Sequence, residues 1–516
     1  MRPFHILAVL LAAVPSLAAA APPGRQEPEE ADLQQQREAW FYGQRAYPHA
    51  RIPGGVRLAA LGALDHMRAD EAARGLTPKS LTWKPLGPQP IDTPYTDPVV
   101  SGRVSAMAVD PTNPDHIYLG GAQGGIWESI NGGKSWSALT DAQASLATGS
   151  ILLDTANPGT IYVGTGEENF SGDSYYGAGV LKSTDGGTTW TQYCGPFCGP
   201  VGPDGYYGGG ARIGGLAIQP GNSQVLLAAV ALNFADGIYR TEDAGQSWTQ
   251  VLGGNPGTAV IFDPTNGNTA YAALGNSFSG GTEGVFISTD GGVTWAARNG
   301  SGAHALPLVN AGRLVLAMAP SQPQTLYASI ANVNDGSLVG VYKSTNGGKS
   351  WSNTNAPDYC DPQCSYDNVL AVDPKSPGIL YAGGAYATTL IRTLDGGTNW
   401  STLQTAQNGG FMHADVHAIT FSADGSLLYV GNDGGAYRTS QIKAASPNFT
   451  GLNNTLSLTQ FYPGLTIAAG NKNLAIGGTQ DNGTVLYTGT AKWNDVTCGD
   501  GGYAAIDPTN AATIYA

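Results

Sequence analysis

The sequence contains little charge and few cysteines, and after its first 21 residues it has no long apolar run. Charged residues make up 12% of the 516, and 39 acidic residues against 25 basic ones give a net charge of −14. A nucleic-acid partner requires a basic face, so this balance argues against one. A membrane helix requires about 20 apolar residues. No later segment approaches that length, and we therefore predict no membrane span.

The N-terminal segment has the layout of an export signal. A basic start is followed by an apolar stretch from Ile6 to Leu17 and by small residues before Pro22. This order is typical of a secretory signal peptide. We therefore predict a signal peptide over residues 1–21 and a secreted protein, extracellular or periplasmic. Residues 22–80 are rich in Gln, Glu, Arg and Ala and contain amphipathic spacing, which predicts a polar, partly helical leader.

Four of the five cysteines form two local pairs, Cys194 with Cys198 and Cys360 with Cys364, and Cys498 is left over. In an exported chain, pairs this close in sequence are typical of small disulfide-closed loops. A zinc site would require His or further Cys at finger spacing beside each pair, and the sequence has none there. The pairs therefore predict two disulfides, and we predict no cofactor.

An octad that ends in tryptophan recurs six times along the chain. Its general form is Ser/Thr-x-Asp/Asn-Gly-Gly-x-Ser/Thr-Trp, with single-residue variations. The copies end at Trp136, Trp190, Trp248, Trp295, Trp351 and Trp400. In such a turn Asp or Asn accepts hydrogen bonds, Gly takes a positive φ and Trp packs between adjacent sheets. The octad is therefore a fold signal, and we expect its carboxylates to be structural.

The octads resemble the Asp-box, or BNR repeat, of sialidases, sortilin-type receptors and xyloglucanase-type glycoside hydrolases. This resemblance implies a β-propeller. The distance between successive tryptophans ranges from 47 residues (Trp248 to Trp295) to 58 residues (Trp190 to Trp248). Such a period matches one four-stranded blade with variable loops. We therefore predict an all-β propeller of four-stranded blades behind a short helical leader.

The propeller is expected to occupy residues 81–516. Two further units, His417–Ser440 and Leu465–Trp493, keep the strand pattern and lack the octad, which predicts seven or eight blades. Residues Tyr503–Ala516 repeat the opening of a blade, so the chain is expected to end inside a repeat. Either this propeller is the first of two, or the last strands pair elsewhere, for example with Leu81–Lys84 as an outer strand.

Blade topology assigns ligand binding to one face of the ring. In a four-stranded meander the octad turns lie at one end of the blade. The starts of the inner strands and the loops after the second strands lie at the other end, which we call the loop face. If the seventh inner strand alternates from its start, it places every second residue on one side. The candidates brought to the loop face in this way are His413, Asp415, His417, Asp433, Gln480 and Asp481.

Three interpretations of this cluster remain open. It is a polar network lining the channel, a divalent metal site, or a site of general acid and base catalysis by Asp415, Asp433 or Asp481. Alternate side chains on one strand lie about 7 Å apart, so they would not reach one ion without bending, and we predict no metal. The three aspartates are therefore the catalytic candidates. The ligand-binding candidates from this cluster are His413, His417 and Gln480.

Arginines and one long loop add candidates on the same face. Arg103 and Arg212 each stand eight residues before the proline that closes their inner strand, at the position that Asp415 takes in the seventh unit. Arginines on one face bind a carboxylate or sulfate, as in sialidases, or form salt bridges to channel carboxylates such as Glu167. The loop Gly166–Tyr176 mixes acids with aromatics and resembles a sugar-binding rim. Arg103, Arg212 and Glu167 are therefore further ligand-binding candidates.

The resemblance implies two classes of function. His-x-Asp-x-His, Asn-Asp-Gly-Gly and Gln-Asp-Asn-Gly together look like exported bacterial propellers described as sortilin-like or as glycosyl hydrolases with BNR repeats. Xyloglucanases use two aspartates across a cleft, but Gln123 stands where they carry an Asp-x-Gly-Gly element, and it cannot act as acid or base. We predict a propeller that binds a polysaccharide or peptide on its loop face. Glycoside hydrolysis by paired aspartates is the alternative.

Overall fold

The structure is a computed structural model. It describes residues 39–40, 42–49, 52, 56–75, 84–94, 99–170, 174–198, 210–231, 236–276, 283–385, 390–403 and 412–516. The predicted signal peptide lies outside this range. The leader contributes a helix, α1 (Val56–Ala73), and one 3₁₀ turn follows at Gly302–His304. No helix among the described residues is long and apolar enough to cross a membrane.

Seven antiparallel sheets of four strands form the blades of a closed ring. Blades 1 and 2 consist of β3–β6 (Val104–Asp110, Asn113–Gly121, Gly125–Ser129, Ser137–Ala138) and β7–β10 (Thr148–Leu153, Ile161–Thr165, Val180–Ser183, Thr191–Tyr193). Blades 3 and 4 consist of β11–β14 (Arg212–Gln219, Asn222–Ala231, Gly237–Thr241, Thr249–Leu252) and β15–β18 (Gly257–Asp263, Asn266–Leu274, Gly284–Ser288, Ala296–Ala297). Each blade is built from consecutive strands in chain order, as the repeat predicts.

The ring is completed by three more blades. Blades 5 and 6 consist of β19–β22 (Ala311–Met318, Leu326–Asn332, Leu338–Ser344, Ser352–Asn353) and β23–β26 (Val369–Val372, Leu380–Gly383, Leu390–Thr393, Ser401–Thr402). Blade 7 consists of β27–β30 (Val416–Phe421, Leu428–Asn432, Gly435–Thr439, Thr450–Gly451). The inner strands contact one another in order, and β27 contacts β3. The ring therefore closes after seven blades.

The eighth unit forms a separate sheet. Its strands are β31 (Thr466–Ile467), β32 (Ala475–Gly478), β33 (Thr484–Tyr487) and β34 (Trp493–Thr497). Two N-terminal strands, β1 (Ile91–Asp92) and β2 (Val99–Val100), extend it, with Ile91 parallel to Trp493. The last strands, β35 (Ala505–Ile506) and β36 (Ile514–Tyr515), pair with each other. The N-terminal strand that joins this sheet is therefore β1. Of the segment Leu81–Lys84, which we considered for an outer strand, residues 81–83 are not described.

The octads form the turns between third and fourth strands. In the second blade the Ser183 hydroxyl donates to Asp185 Oδ1 (2.8 Å) and accepts the Gly187 N–H (2.8 Å). Asp185 Oδ1 also accepts the Thr189 N–H (2.8 Å), and Gly187 has a φ of +88°. The conformation needs glycine because side chains rarely adopt this φ. The polar groups of the turn thus form hydrogen bonds with other residues of the same octad.

Some octad tryptophans and second-strand tyrosines bond one blade to the next, whereas Trp190 and Trp248 donate within their own octads. Trp351 of blade 5 is 2% exposed, and its indole N–H donates to the Arg298 carbonyl of blade 4 (2.9 Å). Trp136 of blade 1 donates to the Leu452 carbonyl at the end of blade 7 (2.8 Å). The hydroxyl of buried Tyr429 in blade 7 donates to the Pro114 carbonyl of blade 1 (2.7 Å). These last two bonds join the ends of the ring.

Both predicted disulfides are present. The Cα atoms of Cys194 and Cys198 lie 5.1 Å apart, and those of Cys360 and Cys364 lie 4.7 Å apart. Cys498 is an exposed free thiol. The prediction of two local disulfides is confirmed.

Candidate functional site

A buried arginine holds carboxylates from three sheets together at the loop face. Arg103, just before β3, places Nη1 3.0 Å from Glu167 Oε1 and Nε 3.2 Å from Asp433 Oδ1. Its Nη2 lies 3.5 Å from Asp481 Oδ2 of the eighth sheet. The side chains of Arg103, Glu167 and Asp433 are at most 2% exposed, whereas that of Asp481 is 24% exposed. We call these four residues the arginine network. Only Asp481 connects it to solvent.

His417 and Tyr366 complete the surroundings of Asp433. His417 Nε2 lies 2.7 Å from Asp433 Oδ1 and 3.8 Å from Asp367 Oδ1. The Tyr366 hydroxyl donates to Asp433 Oδ2 (2.9 Å), and Arg103 lies over the Tyr366 ring at 5.3 Å. Burial opposes the charge of Asp433, but the attraction of Arg103 and His417 lowers its pKa well below the ordinary value. Asp433 is therefore ionised and fully paired.

Asp481, in contrast to the ionised Asp433, is protonated at neutral pH. Its burial, together with the nearby charge of Asp433, raises its pKa to about 9. The Asp481 N–H donates to the exposed Asp500 Oδ1 (3.0 Å), and His413 Nε2 lies 2.9 Å from the Asp481 carbonyl oxygen. The raised pKa also reflects a hydrogen bond to the Asp433 carboxyl. Because Asp481 is protonated at neutral pH and partly exposed, its single O–H can donate either inward to Asp433 or outward to a ligand.

Asp415 pairs with Asp367, a residue that the sequence analysis did not select. Among the described residues no N–H or hydroxyl donor reaches Asp415 Oδ1 or either carboxylate oxygen of Asp367. Burial raises the pKa of both carboxyls, and the nearby charges of Asp415 and Asp433 help to raise that of Asp367 well above the ordinary value. Counting eight residues back from Pro374, as for Arg103 and Arg212, would have selected Tyr366 before β23, but not its neighbour Asp367.

The expected alternation through His413, Asp415 and His417 is wrong. β27 begins only at Val416, and Asp415 has a φ of +63°, which is left-handed backbone. His413 consequently reaches the Asp481 carbonyl, while His417 reaches Asp433 within the channel. The bend, rather than strand periodicity, brings these side chains to the loop face.

Arg212 lies apart from the arginine network. Its Nη2 donates to the Ser174 carbonyl (2.6 Å), and its guanidinium lies 4.5 Å from the centre of the Tyr176 ring. Arg313 donates to the Tyr366 carbonyl (2.8 Å) and, against burial, lowers the pKa of Glu168, which still rises to about 8. All three arginines are thus engaged by the protein itself.

Two glutamines stand near the network. Gln480 is half-buried beside Asp481, and its carbonyl accepts a bond from the Asn482 amide (3.0 Å). The N–H of Ala122 donates to the Arg103 carbonyl (3.1 Å), so the following residue, Gln123, lies next to Arg103. The buried Gln123 Nε2 has no hydrogen-bond partner in the described part of the chain. The Gln123 side chain therefore brings an amide, and no carboxylate, to the surroundings of Arg103.

Comparison with known proteins finds xyloglucanases among the relatives of this chain. Residues 286–297 match the BNR/Asp-box repeat family. The chain is 27% identical over 338 residues to a xyloglucanase of Paenibacillus sp, covering 58% of this chain and 31% of that protein. It is also 27% identical over 350 residues to xyloglucanase Xgh74A of Acetivibrio thermocellus, covering 58% and 38%. The chain thus spans about a third of the length of these relatives.

Solved structures show the same fold. The GH74 enzyme of Niastella koreensis superposes with a TM-score of 0.59 at 19% identity, covering 83% of this chain and 64% of that one. The GH74 xyloglucanase of Xanthomonas campestris gives 0.57 at 16% identity, with 80% and 71% covered. Together with the octads and the seven closed blades, these comparisons identify the chain as an Asp-box (BNR) repeat β-propeller that resembles the propellers of xyloglucanase-type glycoside hydrolases.

Proposed function

We propose that the chain binds a polysaccharide on its loop face and that Asp481 contacts the glycan. The observation that carries this proposal is the state of Asp481, a protonated and partly exposed carboxyl at the edge of a buried charge network. Such a group donates a hydrogen bond to a sugar hydroxyl or ring oxygen without bringing a charge to the contact. The xyloglucanase relatives favour a glycan over a peptide.

Binding is favoured over hydrolysis because the loop face offers few carboxylates that could act as a catalytic base. Glycoside hydrolysis by the common route uses one carboxylic acid and one carboxylate beside the scissile bond. Gln123 provides no carboxylate, and the ionised Asp433 is only 1% exposed and is bonded to Arg103, His417 and Tyr366. Its lone pairs are therefore not available to activate a water molecule.

Hydrolysis is the second candidate, and a specific observation supports it. A pKa of about 9 keeps Asp481 protonated at neutral pH, which is what a general acid requires. Asp415 is the other half-buried carboxyl of the cluster and would have to act as the base. This route requires both aspartates, whereas binding through hydrogen bonds requires only the donor at Asp481.

Binding of xyloglucan oligosaccharides, measured by isothermal titration calorimetry, tests the proposal. Asp481→Ala should bind about three- to tenfold more weakly, the loss of one hydrogen bond. Asp481→Asn should bind nearly as well as wild type, because its amide still donates. Asp290→Ala, in an octad at the opposite end of the blades, is the matched control. Wild-type affinity in Asp481→Ala would contradict the proposal.

Release of reducing ends from the same oligosaccharides separates the two candidates. Turnover by the wild type that disappears in Asp481→Asn, with binding kept, would establish hydrolysis, because the amide cannot give up a proton. Unchanged substrate after prolonged incubation, with binding present, would leave the protein as a binding propeller.

A further inference from the structure

The leader crosses the loop face of the propeller. Connections between blades lie on this face because each links an outer strand to the next inner strand. Arg57, at the start of α1, donates to the carbonyls of Asp141 (2.6 Å) and Gln143 (2.8 Å) in the connection between blades 1 and 2. No residue of α1 is buried, and Met67 is 60% exposed. The helix is therefore held by few contacts.

Ahead of this helix, Tyr42 is seated on the aromatic loop of blade 2. Its hydroxyl donates to the Ser174 carbonyl (2.8 Å). Its ring centre lies 5.2 Å from that of Tyr176 at a tilt of 32°, and 5.9 Å from that of Tyr175, edge-on. Arg45 lies over the Tyr175 ring at 5.6 Å and donates to the Tyr175 hydroxyl. The leader thus covers both tyrosines of the loop.

The described residues beneath Tyr42 form a platform that a buried arginine supports. Arg212, which is 4% exposed, lies against the Tyr176 ring and bonds to the Ser174 carbonyl, the same oxygen that Tyr42 uses. Such a cation–ring contact fixes the plane of the aromatic side chain. At its other end the loop carries Glu167, whose carboxylate is bonded to Arg103. The start of this loop is therefore bonded to the arginine network that contains Asp481.

We propose that Tyr175 and Tyr176, supported by Arg212, form a stacking subsite for a sugar ring, and that Tyr42 of the leader occupies this subsite until a glycan displaces it. The inference rests on the proposed function, since it extends glycan recognition from Asp481 to blade 2. A pyranose has a flat apolar face that stacks on an aromatic ring as the Tyr42 ring does. The Ser174 carbonyl would then accept a sugar hydroxyl in place of the Tyr42 hydroxyl.

Occupation by Tyr42 makes the leader a competitor of the glycan. A site that is open for only a fraction of the time binds with an affinity reduced by that fraction. Tyr42→Ala removes two ring contacts and one hydrogen bond, so it should bind xyloglucan oligosaccharides about five- to tenfold more tightly than wild type. Tyr176→Ala should bind more weakly than wild type, because the platform itself is lost.

Tyr47→Ala is the matched control, because Tyr47 lies in the same segment and is 84% exposed. It should bind like wild type. Hydrogen exchange supplies a second readout: adding the oligosaccharide to the wild type should speed amide exchange over residues 42–49, and adding it to Tyr42→Ala should not change exchange there. Equal or lower affinity of Tyr42→Ala would overturn the subsite proposal.

The outcomes also separate this proposal from the proposed function. If binding depends on Asp481 and is unaffected by Tyr42→Ala, the proposed function stands and the leader is not a competitor. If neither the wild type nor Tyr42→Ala binds any oligosaccharide, both proposals fail. If only Tyr42→Ala binds, the leader closes the site completely and both proposals stand.

Discussion

Arg103 shows why a charge can be buried in the channel of this propeller. Removing a guanidinium from water is costly unless anions surround it in good geometry. Arg103 meets two buried carboxylates, Glu167 of blade 2 and Asp433 of blade 7, and the protonated carboxyl of Asp481 in the eighth sheet. Since a buried ion pair is expensive to break from one side, the arginine network holds the loop face in one arrangement.

Arg103→Met should therefore destabilise the protein by about 3–5 kcal/mol, because Glu167 and Asp433 would remain buried without their cation. The free energy of unfolding, from urea denaturation, measures the effect. Arg438→Met is the matched control: it breaks an ion pair with Asp115 whose partners are 25% and 58% exposed, and it should cost less than about 1 kcal/mol. Similar losses in the two variants would contradict this account of the buried network.

Asp481 should make stability depend on pH in an unusual direction. Its pKa is raised in the folded protein to about 9 from an ordinary value of 3.8, so folding favours the protonated form. Its contribution is fully present below about pH 4 and is lost as pH rises through 9. Asp481→Asn has no titrating group at this position, so it should lose less stability than wild type as the pH rises from about 4 to about 9. Parallel curves of unfolding free energy against pH would show that Asp481 is not protonated in the folded state.

At the scale of elements, the octad turn is a self-sufficient unit. Asp290 accepts bonds from the Thr294 N–H (2.9 Å) and hydroxyl (2.5 Å) and from the Ser288 hydroxyl (2.7 Å). The Thr294 bonds contribute most to lowering its pKa, to about 2, and its small burial opposes them. The same pattern holds at Asp185. These carboxylates accept hydrogen bonds from the N–H and hydroxyl groups of turns that lie at the end of the blades away from the loop face.

Asp290→Ala should therefore cost about 1 kcal/mol and lower the melting temperature while leaving glycan binding unchanged. Asp185→Ala should act in the same direction. Because the folded pKa of Asp290 is depressed, its contribution is present above about pH 4 and is lost as pH falls towards 2. Calorimetric melting at pH 3 and pH 7 measures both effects. A variant that keeps its melting temperature but loses binding would assign the octad to the site instead.

At the scale of the whole molecule, the seven-bladed ring closes without exchanging strands. Neighbouring blades elsewhere are joined by the chain, but blades 7 and 1 meet through contacts such as the Trp136 bond to Leu452 and the Tyr429 bond to Pro114. Within the described residues, the segment before β3 also helps, since the Ser101 N–H donates to the Gly434 carbonyl (2.8 Å). The closure therefore depends on contacts between residues that are far apart in the chain.

Trp136→Ala should open this junction. A large aromatic truncated in a packed interface costs about 3–5 kcal/mol, and here no chain connection holds the two blades together afterwards. Native-state hydrogen exchange should therefore accelerate across both blade 1 and blade 7. Trp351→Ala, at the junction of blades 4 and 5, is the control and should accelerate exchange only locally. If hydrogen exchange accelerated only locally in both variants, the closure would be no weaker than the junction of blades 4 and 5.

Much of this architecture follows from short-range information. The octad encodes its own turn, and its period predicts one blade per repeat, because each hairpin bonds residues that are close in the chain. The two disulfides follow from cysteines four residues apart. Asp433 and Asp481 each follow the second strand of a repeat, and this position alone predicted that both lie on the loop face. Their roles in binding or catalysis remain predictions.

Only the tertiary structure decided which of these groups meet and in which charge state. Asp433 and Asp481 have similar local sequences, yet the first is ionised beside Arg103 and the second is protonated at the edge of the same network. Nor does any local pattern pair Ile91 with Trp493 or seat Tyr42 on Tyr176. The sequence by itself determined the repeating blade, since its bonds are local. Closure of the ring, burial and the placement of the leader arise from contacts between residues far apart in the chain, and these contacts set both the protonation and the accessibility of the loop face.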